Sequence, residues 1–146
     1  HAALSQNVDE SVDFDEVART IVRMAGAIAS TDHSVEVITT GSFGTIQADQ
    51  AQALATVLNE LVANSVEHGL ADRDGLIEVR AEREGPSMTV TVADNGVGFV
   101  PGTPMSGLGT QIVHQMVRGE LKGSIEWAPR EGGGTLVTLH ANLDPA

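Results

Sequence analysis

Residues 88–93 (Met-Thr-Val-Thr-Val-Ala) alternate apolar and polar side chains, then run straight into Asp94-Asn95-Gly96-Val97-Gly98-Phe99. A period of two marks a strand with one covered face, so this segment demands an apolar layer on its inner side. The residues that follow suit either of two uses. Asn-Gly behind a strand is the commonest two-residue hairpin signal, and a plain turn explains it. A carboxylate at a buried strand end also accepts a hydrogen bond from an exocyclic amine. The glycines behind it then let backbone approach a ligand or take positive φ. The neighbouring segments decide between turn and nucleotide site.

Upstream, residues 54–69 read LATVLNELVANSVEHG. Leu54, Leu58, Leu61 and Ser65 recur at i, i+4, i+7 and i+11, the stripe of an amphipathic helix. At about 100° per residue, Glu60 and Asn64 lie about 40° apart on that helix, with His68 a further 40° or so along. A carboxylate, an amide and an imidazole thus form one polar ridge. A solvated face would look the same, and Glu67 fits that reading. Asn, however, prefers caps and turns to helix interiors. Asn64 therefore carries a cost that oxygen coordination of Mg²⁺ would justify.

Downstream, Ser106-Gly107-Leu108-Gly109-Thr110 leads into a segment with Ile112, Val113, Met116 and Val117 at helical spacing. Two glycines at a helix start expose unpaired N–H groups at the positive end of the dipole, where phosphate oxygens bind. A flexible loop entering a helix is the competing description. Last, Gly132-Gly133-Gly134-Thr135 opens an alternating strand with Leu136, Val137 and Leu139. A hairpin turn accounts for it, with the Thr135 hydroxyl available as a ligand.

In this order the four segments resemble the N, G1, G2 and G3 boxes of the GHKL ATPase superfamily, which includes histidine kinases, gyrase, Hsp90 and MutL. The resemblance spans roughly residues 50–143 and extends more loosely upstream. Within the superfamily the chain looks most like the catalytic ATP-binding domain of sensor histidine kinases of the cytosolic PdtaS-like group. Ala2-Ala3-Leu4-Ser5-Gln6 and Val12-Asp13-Phe14-Asp15-Glu16-Val17 look like that group's passage from dimerisation helices into the catalytic domain. On this basis residues 1–12 are a remnant of the preceding helix or linker, and 13–143 the catalytic domain.

The resemblance implies ATP and Mg²⁺ as ligands and assigns roles by position. Asp94 would bind the adenine amine, and Gly96 and Gly98 would shape the loop beneath the nucleotide. Asn64 would coordinate Mg²⁺ on the phosphates. Glu60 would position or polarise the group that accepts the γ-phosphoryl. His68 stands where relatives often carry a basic residue near the phosphates. Gly107, Leu108 and Gly109 would form the hinge and phosphate-facing end of a lid, and Thr135 would sit by the adenine pocket. Asn59 matches family usage without an evident role of its own. The implied partners are a dimerisation domain bearing the phosphoacceptor histidine and a downstream response regulator. The implied setting is the cytoplasm, with the fragment monomeric and the full-length protein a homodimer.

Two departures stand out. Val100–Met105 alone separate the glycine loops, so the lid is short and lacks the usual phenylalanine-containing box. Of the five histidines, His33, His114 and His140 lack the flanking charges of an acceptor helix, and His1 opens the chain without a Met. The sequence reads as a catalytic half without its acceptor half. Anti-sigma factors of the serine-kinase type are the alternative reading: they share the fold and act as nucleotide-gated protein-binding modules.

With 146 residues, 41% hydrophobic, the chain has material for one domain core. It has no cysteine, hence no disulfide or thiolate chemistry, and no run of membrane-spanning length. A net charge of −12 excludes a nucleic-acid partner, whose phosphates need a basic surface. It also means that ATP must be met by local features: Mg²⁺, helix N-terminal amides and His68.

Element by element, Asp13 with Glu16 makes a capping-box-like start to a helix whose apolar face is Phe14, Val17, Ala18, Ile21, Val22, Ala25 and Ile28. A strand at 35–38 and a turn at 41–44 follow. A long helix then spans about 49–68, stopped by Gly69. Strands at 76–81 and 88–93 join across Glu84-Gly85-Pro86. The last helix runs from 109 to about 121, and strands at 124–128 and 135–140 close the fold as a hairpin. Trp127, alternating with Ile125, reads as packing. The expected fold class is α/β: a two-layer sandwich of the Bergerat type, three helices on one face of a mixed sheet of about five strands.

Overall fold

The structure is a computed structural model that describes residues 10–29, 33–71, 73–97 and 108–145. In chain order these form β1 (Ser11–Asp13), α1 (Phe14–Ala29), β2 (Val35–Gly41), β3 (Thr45–Gln47) and α2 (Ala48–Asn64). A single π turn (Ser65–Gly69) follows, then β4 (Gly75–Glu84), β5 (Ser87–Asp94), α3 (Leu108–Gly119), β6 (Ser124–Pro129) and β7 (Thr135–Asn142). The main sheet has five strands in the order β2-β4-β5-β7-β6. Among the described residues only β2 and β4 pair in parallel, Val35 opposite Gly75. The remaining pairs are antiparallel, so the sheet is mixed. With three helices on its inner side among the described residues, the molecule is the two-layer α/β sandwich expected from the sequence.

Periodicity explains which side chains make the core. Ile77, Val79 and Ala81 of β4, Met88, Val90 and Val92 of β5, and Val137, Leu139 and Ala141 of β7 are buried at every second position. Phe14, Ala18, Val22 and Ala25 of α1, Leu54, Leu58 and Leu61 of α2, and Val113 and Val117 of α3 cover them. The outer positions (Thr89 and Thr91 of β5, Thr138 and His140 of β7) are polar and partly or fully exposed. Trp127 packs as expected, half-buried with its ring 5.3 Å from that of His114 on α3.

Three features differ from the sequence reading. First, Ser11–Asp13 pairs antiparallel with Thr45–Gln47 as a separate two-stranded sheet, where the sequence reading placed no strand. Second, the Asp13 half of the capping box is present, with the Asp15 N–H 3.5 Å from Asp13 Oδ1. The larger job at this end falls to Asp15, whose carboxylate accepts from the Ser42 hydroxyl and the Phe43 and Gly44 N–H groups, fixing the β2–β3 turn. Third, Gly69 is not a left-handed stop. The helix widens into the π turn, Leu70 N–H donates to Ser65 O (2.7 Å), and the left-handed residue is Ala71, with φ of 54°.

Candidate functional site

Asp94 is the inward-facing position that follows Met88, Val90 and Val92 on β5, so the period that builds the core also buries a carboxylate at its end. Its relative exposure is 2%. Three glycines close around it. A Cβ on Gly69 would lie 2.1 Å from Asp94 Oδ2, one on Gly96 would lie 1.9 Å from Gly69 O, and one on Gly134 would lie 1.9 Å from Asp94 O. Any side chain at these positions would push the strand end, the π turn and the β6–β7 turn apart.

Hydrogen bonds fix the carboxylate within that enclosure. Oδ1 accepts from the N–H groups of Gly96 (3.0 Å) and Thr135 (3.3 Å). Oδ2 has no hydrogen-bond partner among the described residues. The Val97 N–H donates to Gly69 O (2.8 Å), tying the Asn-Gly turn to the π turn. Asn95 serves the scaffold: its Oδ1 accepts from Leu76 N–H (2.9 Å) at the start of β4. Burial raises the Asp94 carboxyl above the ordinary aspartate value, against the opposing pull of the Gly96 and Thr135 N–H groups and of the Arg130 guanidinium.

The remaining expected residues fall into three groups. Glu60 and Asn64 lie half-buried on α2, one turn apart. Asn64 Nδ2 is buried with no hydrogen-bond partner among the described residues, so this amide keeps bonding capacity that the protein does not use. His68 belongs to the π turn, whose wider winding ends the α-helical wheel that lined it up with Glu60 and Asn64. Its side chain is 70% exposed and lies 4.0 Å from Glu67. Leu108 and Gly109 open α3, while Gly98 and Gly107 lie outside the described residues. The structure thus gathers Asp94, Gly96 and Thr135 into one cluster and keeps Asn64 on the element whose continuation touches it. His68 faces solvent.

Sequence reasoning overlooked Gly69 as a packing partner, Gly134 and Arg130. Gly69 had a signal, Gly after a helix, but it pointed to a stop. Arg130 had none. A cavity of about 620 Å³ lies on the other, uncovered face of the sheet, lined by Thr40, Glu78, Arg80, Glu82, Thr91 and Arg130 among others. Its mixed charges and its separation from Asn64 by the sheet set it apart from the carboxylate cluster.

Comparisons with known proteins converge on one family. Residues 49–145 match the model of the histidine kinase-, DNA gyrase B- and HSP90-like ATPases. The chain is 38% identical over 144 residues to the sensor histidine kinase PdtaS of Mycobacterium tuberculosis, covering 95% of this chain and 29% of that protein. It therefore spans less than a third of that relative's length. Among solved structures, the blue-light activated histidine kinase of Erythrobacter litoralis superposes with a TM-score of 0.75 at 22% identity, over 90% of this chain and 42% of that one. The catalytic domain of histidine kinase ThkA gives 0.71 at 20% identity, over 92% and 95%. At these identities the two structures establish the fold. The chain belongs to the histidine kinase-, DNA gyrase B- and HSP90-like ATPase family.

Proposed function

We propose that this domain binds Mg-ATP and delivers the γ-phosphoryl group to a histidine carried on a separate dimerisation domain, as the catalytic part of a two-component sensor kinase. The observation that carries the reading is the Asp94 enclosure: a buried carboxylate with one oxygen held by two N–H groups and the other without a hydrogen-bond partner among the described residues, in a fold of the histidine kinase-, DNA gyrase B- and HSP90-like ATPase family. In this reading Asp94 Oδ2 accepts from the adenine amine, and Gly96 and Thr135 hold its other oxygen in place. Leu108 and Gly109, at the start of α3, lie on the phosphate side in this reading.

Asn64 suits the metal. Among the described residues no cluster of three or more His, Asp or Glu side chains is placed to hold an ion. A cation here must take most of its ligands from phosphate and water, as Mg²⁺ does; Asn64 would supply a single oxygen, its Oδ1, while its buried Nδ2, unpartnered among the described residues, would donate to a phosphate oxygen. When bound, Mg²⁺ neutralises phosphate charge. The protein's part is to position. Glu60 orients the incoming imidazole or takes its proton, and His68 offers a donor near the phosphates. The imidazole nitrogen forms a bond to the γ-phosphorus as the bond to the ADP oxygen breaks. A response regulator then receives the group. The setting is cytoplasmic and the full-length protein a homodimer in this scheme, the fragment a monomer.

Labelled ATP and a separately supplied dimerisation domain test the scheme. Acid-labile, base-stable phosphate on that domain is the expected product. Acid-stable phosphoserine on an anti-anti-sigma partner would instead mark the domain as a nucleotide-gated binding module, and no transfer to either would remove the kinase assignment.

A further inference from the structure

We propose that Asn95 is a positioning residue for adenine recognition: its side chain ends β5 so that the chain turns and holds the Asp94 carboxylate for the incoming amine. The inference rests on the adenine role proposed for Asp94. The register pairs Ile77 with Asp94, and the next pair in the ladder would be Leu76 with Asn95. Residues that bond across an antiparallel ladder exchange both N–H groups and both carbonyls. Half of that exchange is made in the usual way, the Asn95 N–H donating to Leu76 O (3.3 Å). The other half is not. The Leu76 N–H donates to the side-chain oxygen of Asn95, Oδ1, at 2.9 Å.

The side chain thus stands in for its own backbone carbonyl, so β5 stops at Asp94 while the start of β4 stays bonded. Released from the ladder, the chain turns at once. The Gly96 N–H comes onto Asp94 Oδ1 (3.0 Å) and the Val97 N–H onto Gly69 O (2.8 Å). Room for the amide depends on a glycine: a Cβ on Gly75 would lie 2.9 Å from Asn95 Oδ1. An asparagine in an ordinary turn bonds within about two residues of itself, whereas the partner of Asn95 lies 19 residues away in the chain. Asn95 is exposed, so its value lies in this bond rather than in packing.

Without Oδ1, the Leu76 N–H is best satisfied by the backbone carbonyl of residue 95, which lengthens β5 by one residue. The turn then starts late, and the Gly96 N–H leaves Asp94. Among the described residues the Thr135 N–H (3.3 Å) is then the donor left to Oδ1, and one donor lets the carboxylate swing. Oδ2 loses its aim at the amine. A residue that only steadied the fold would weaken every nucleotide by one factor, since loss of the competent state removes the site for all of them alike. A residue that aims Oδ2 affects only ligands that carry the amine.

The test compares Mg-ATP with the magnesium complex of purine riboside triphosphate, which lacks only the exocyclic amine. Calorimetry measures both on wild type, Asn95→Ala, Asn95→Gln and Asn95→Asp. Wild type is expected to favour ATP by about tenfold or more, the worth of a hydrogen bond to a charged acceptor. In Asn95→Ala that preference is expected to shrink by roughly three- to tenfold through weaker ATP binding, with the amine-free nucleotide bound nearly as in wild type. Asn95→Gln, whose oxygen sits one methylene further out, carries the same expectation and stands in should the alanine variant not fold. Asn95→Asp keeps an acceptor oxygen in place and is expected to keep the preference, even where its added charge weakens both nucleotides. An alanine or glutamine variant that keeps the wild-type preference, whether or not both affinities fall, marks a purely structural residue and overturns the positioning role alone. So does an aspartate variant that loses the preference. A wild type that does not distinguish the two nucleotides overturns the adenine role of Asp94, and the positioning role falls with it.

Discussion

A carboxylate set in a row of valines works against its own domain. Because burial raises the Asp94 carboxyl in the folded state, its contribution favours folding at acid pH and is lost as pH rises through the folded value. At neutral pH the ionised group therefore opposes folding. Asp94→Asn should raise the melting temperature of the nucleotide-free domain at neutral pH. The same change should cost about 1.5–3 kcal/mol of ATP binding, the worth of a hydrogen bond to a charged acceptor. Thermal melts and calorimetry on one preparation read both effects, and a variant neither more stable nor weaker in binding would count against the site. Gly69→Ala attacks the same carboxylate from the other side. Its methyl group would meet Asp94 Oδ2 at 2.1 Å, so a loss of about 1–3 kcal/mol in denaturant titrations is expected, together with weakened nucleotide binding.

Among the elements, the buried Gln50 on α2 is the main polar tie. Its Nε2 donates to Glu120 O just after α3 (2.8 Å), and its Oε1 accepts from Asp144 N–H near the chain end (2.7 Å). Gln50→Ala strands both groups and should cost about 1–3 kcal/mol by chemical denaturation, while ATP affinity stays close to wild type. A large affinity loss would show that α3 is steered through this tie. The elements also show what a sequence can reveal. Strands at 76–81, 88–93, 124–128 and 135–140 were legible because period-two burial and turn chemistry are local properties. β1 and β3 were not, since three residues carry no period and their pairing partner is distant in the chain. The π turn escaped because one extra residue per turn leaves the apolar stripe intact through Ser65 yet rotates everything beyond it, His68 included. The carboxylate, the amide and Gly96 could be picked out from motif order. The enclosing Gly69 and Gly134 come from contacts that no local pattern encodes.

At the scale of the whole molecule, a net charge of −12 makes metal dependence the sharpest test of the nucleotide reading. Mg-ATP at about a hundred times its dissociation constant should stabilise the fold by about 2.7 kcal/mol. ATP with a chelator should give only a fraction of that, because the polyanion then meets an acidic protein unscreened. Equal melting shifts with and without Mg²⁺ would remove the metal from the account, and Asn64→Ala should reproduce the chelator result in the presence of Mg²⁺. The sheet order has a kinetic consequence. β4–β5 and β6–β7 close as hairpins, whereas β2 joins β4 (Val35 opposite Gly75) and β5 joins β7 (Ala93 opposite Leu136) only across long stretches of chain, and of these two pairings the parallel one lies at the sheet's edge. Closing these excursions is the slow, entropically costly act of self-assembly, and the edge pairing is covered by a neighbouring strand on one side alone. In native-state hydrogen exchange, amides of the 35–41 strand should therefore open at lower free energy than those of 87–94. The domain would come undone first along this parallel seam.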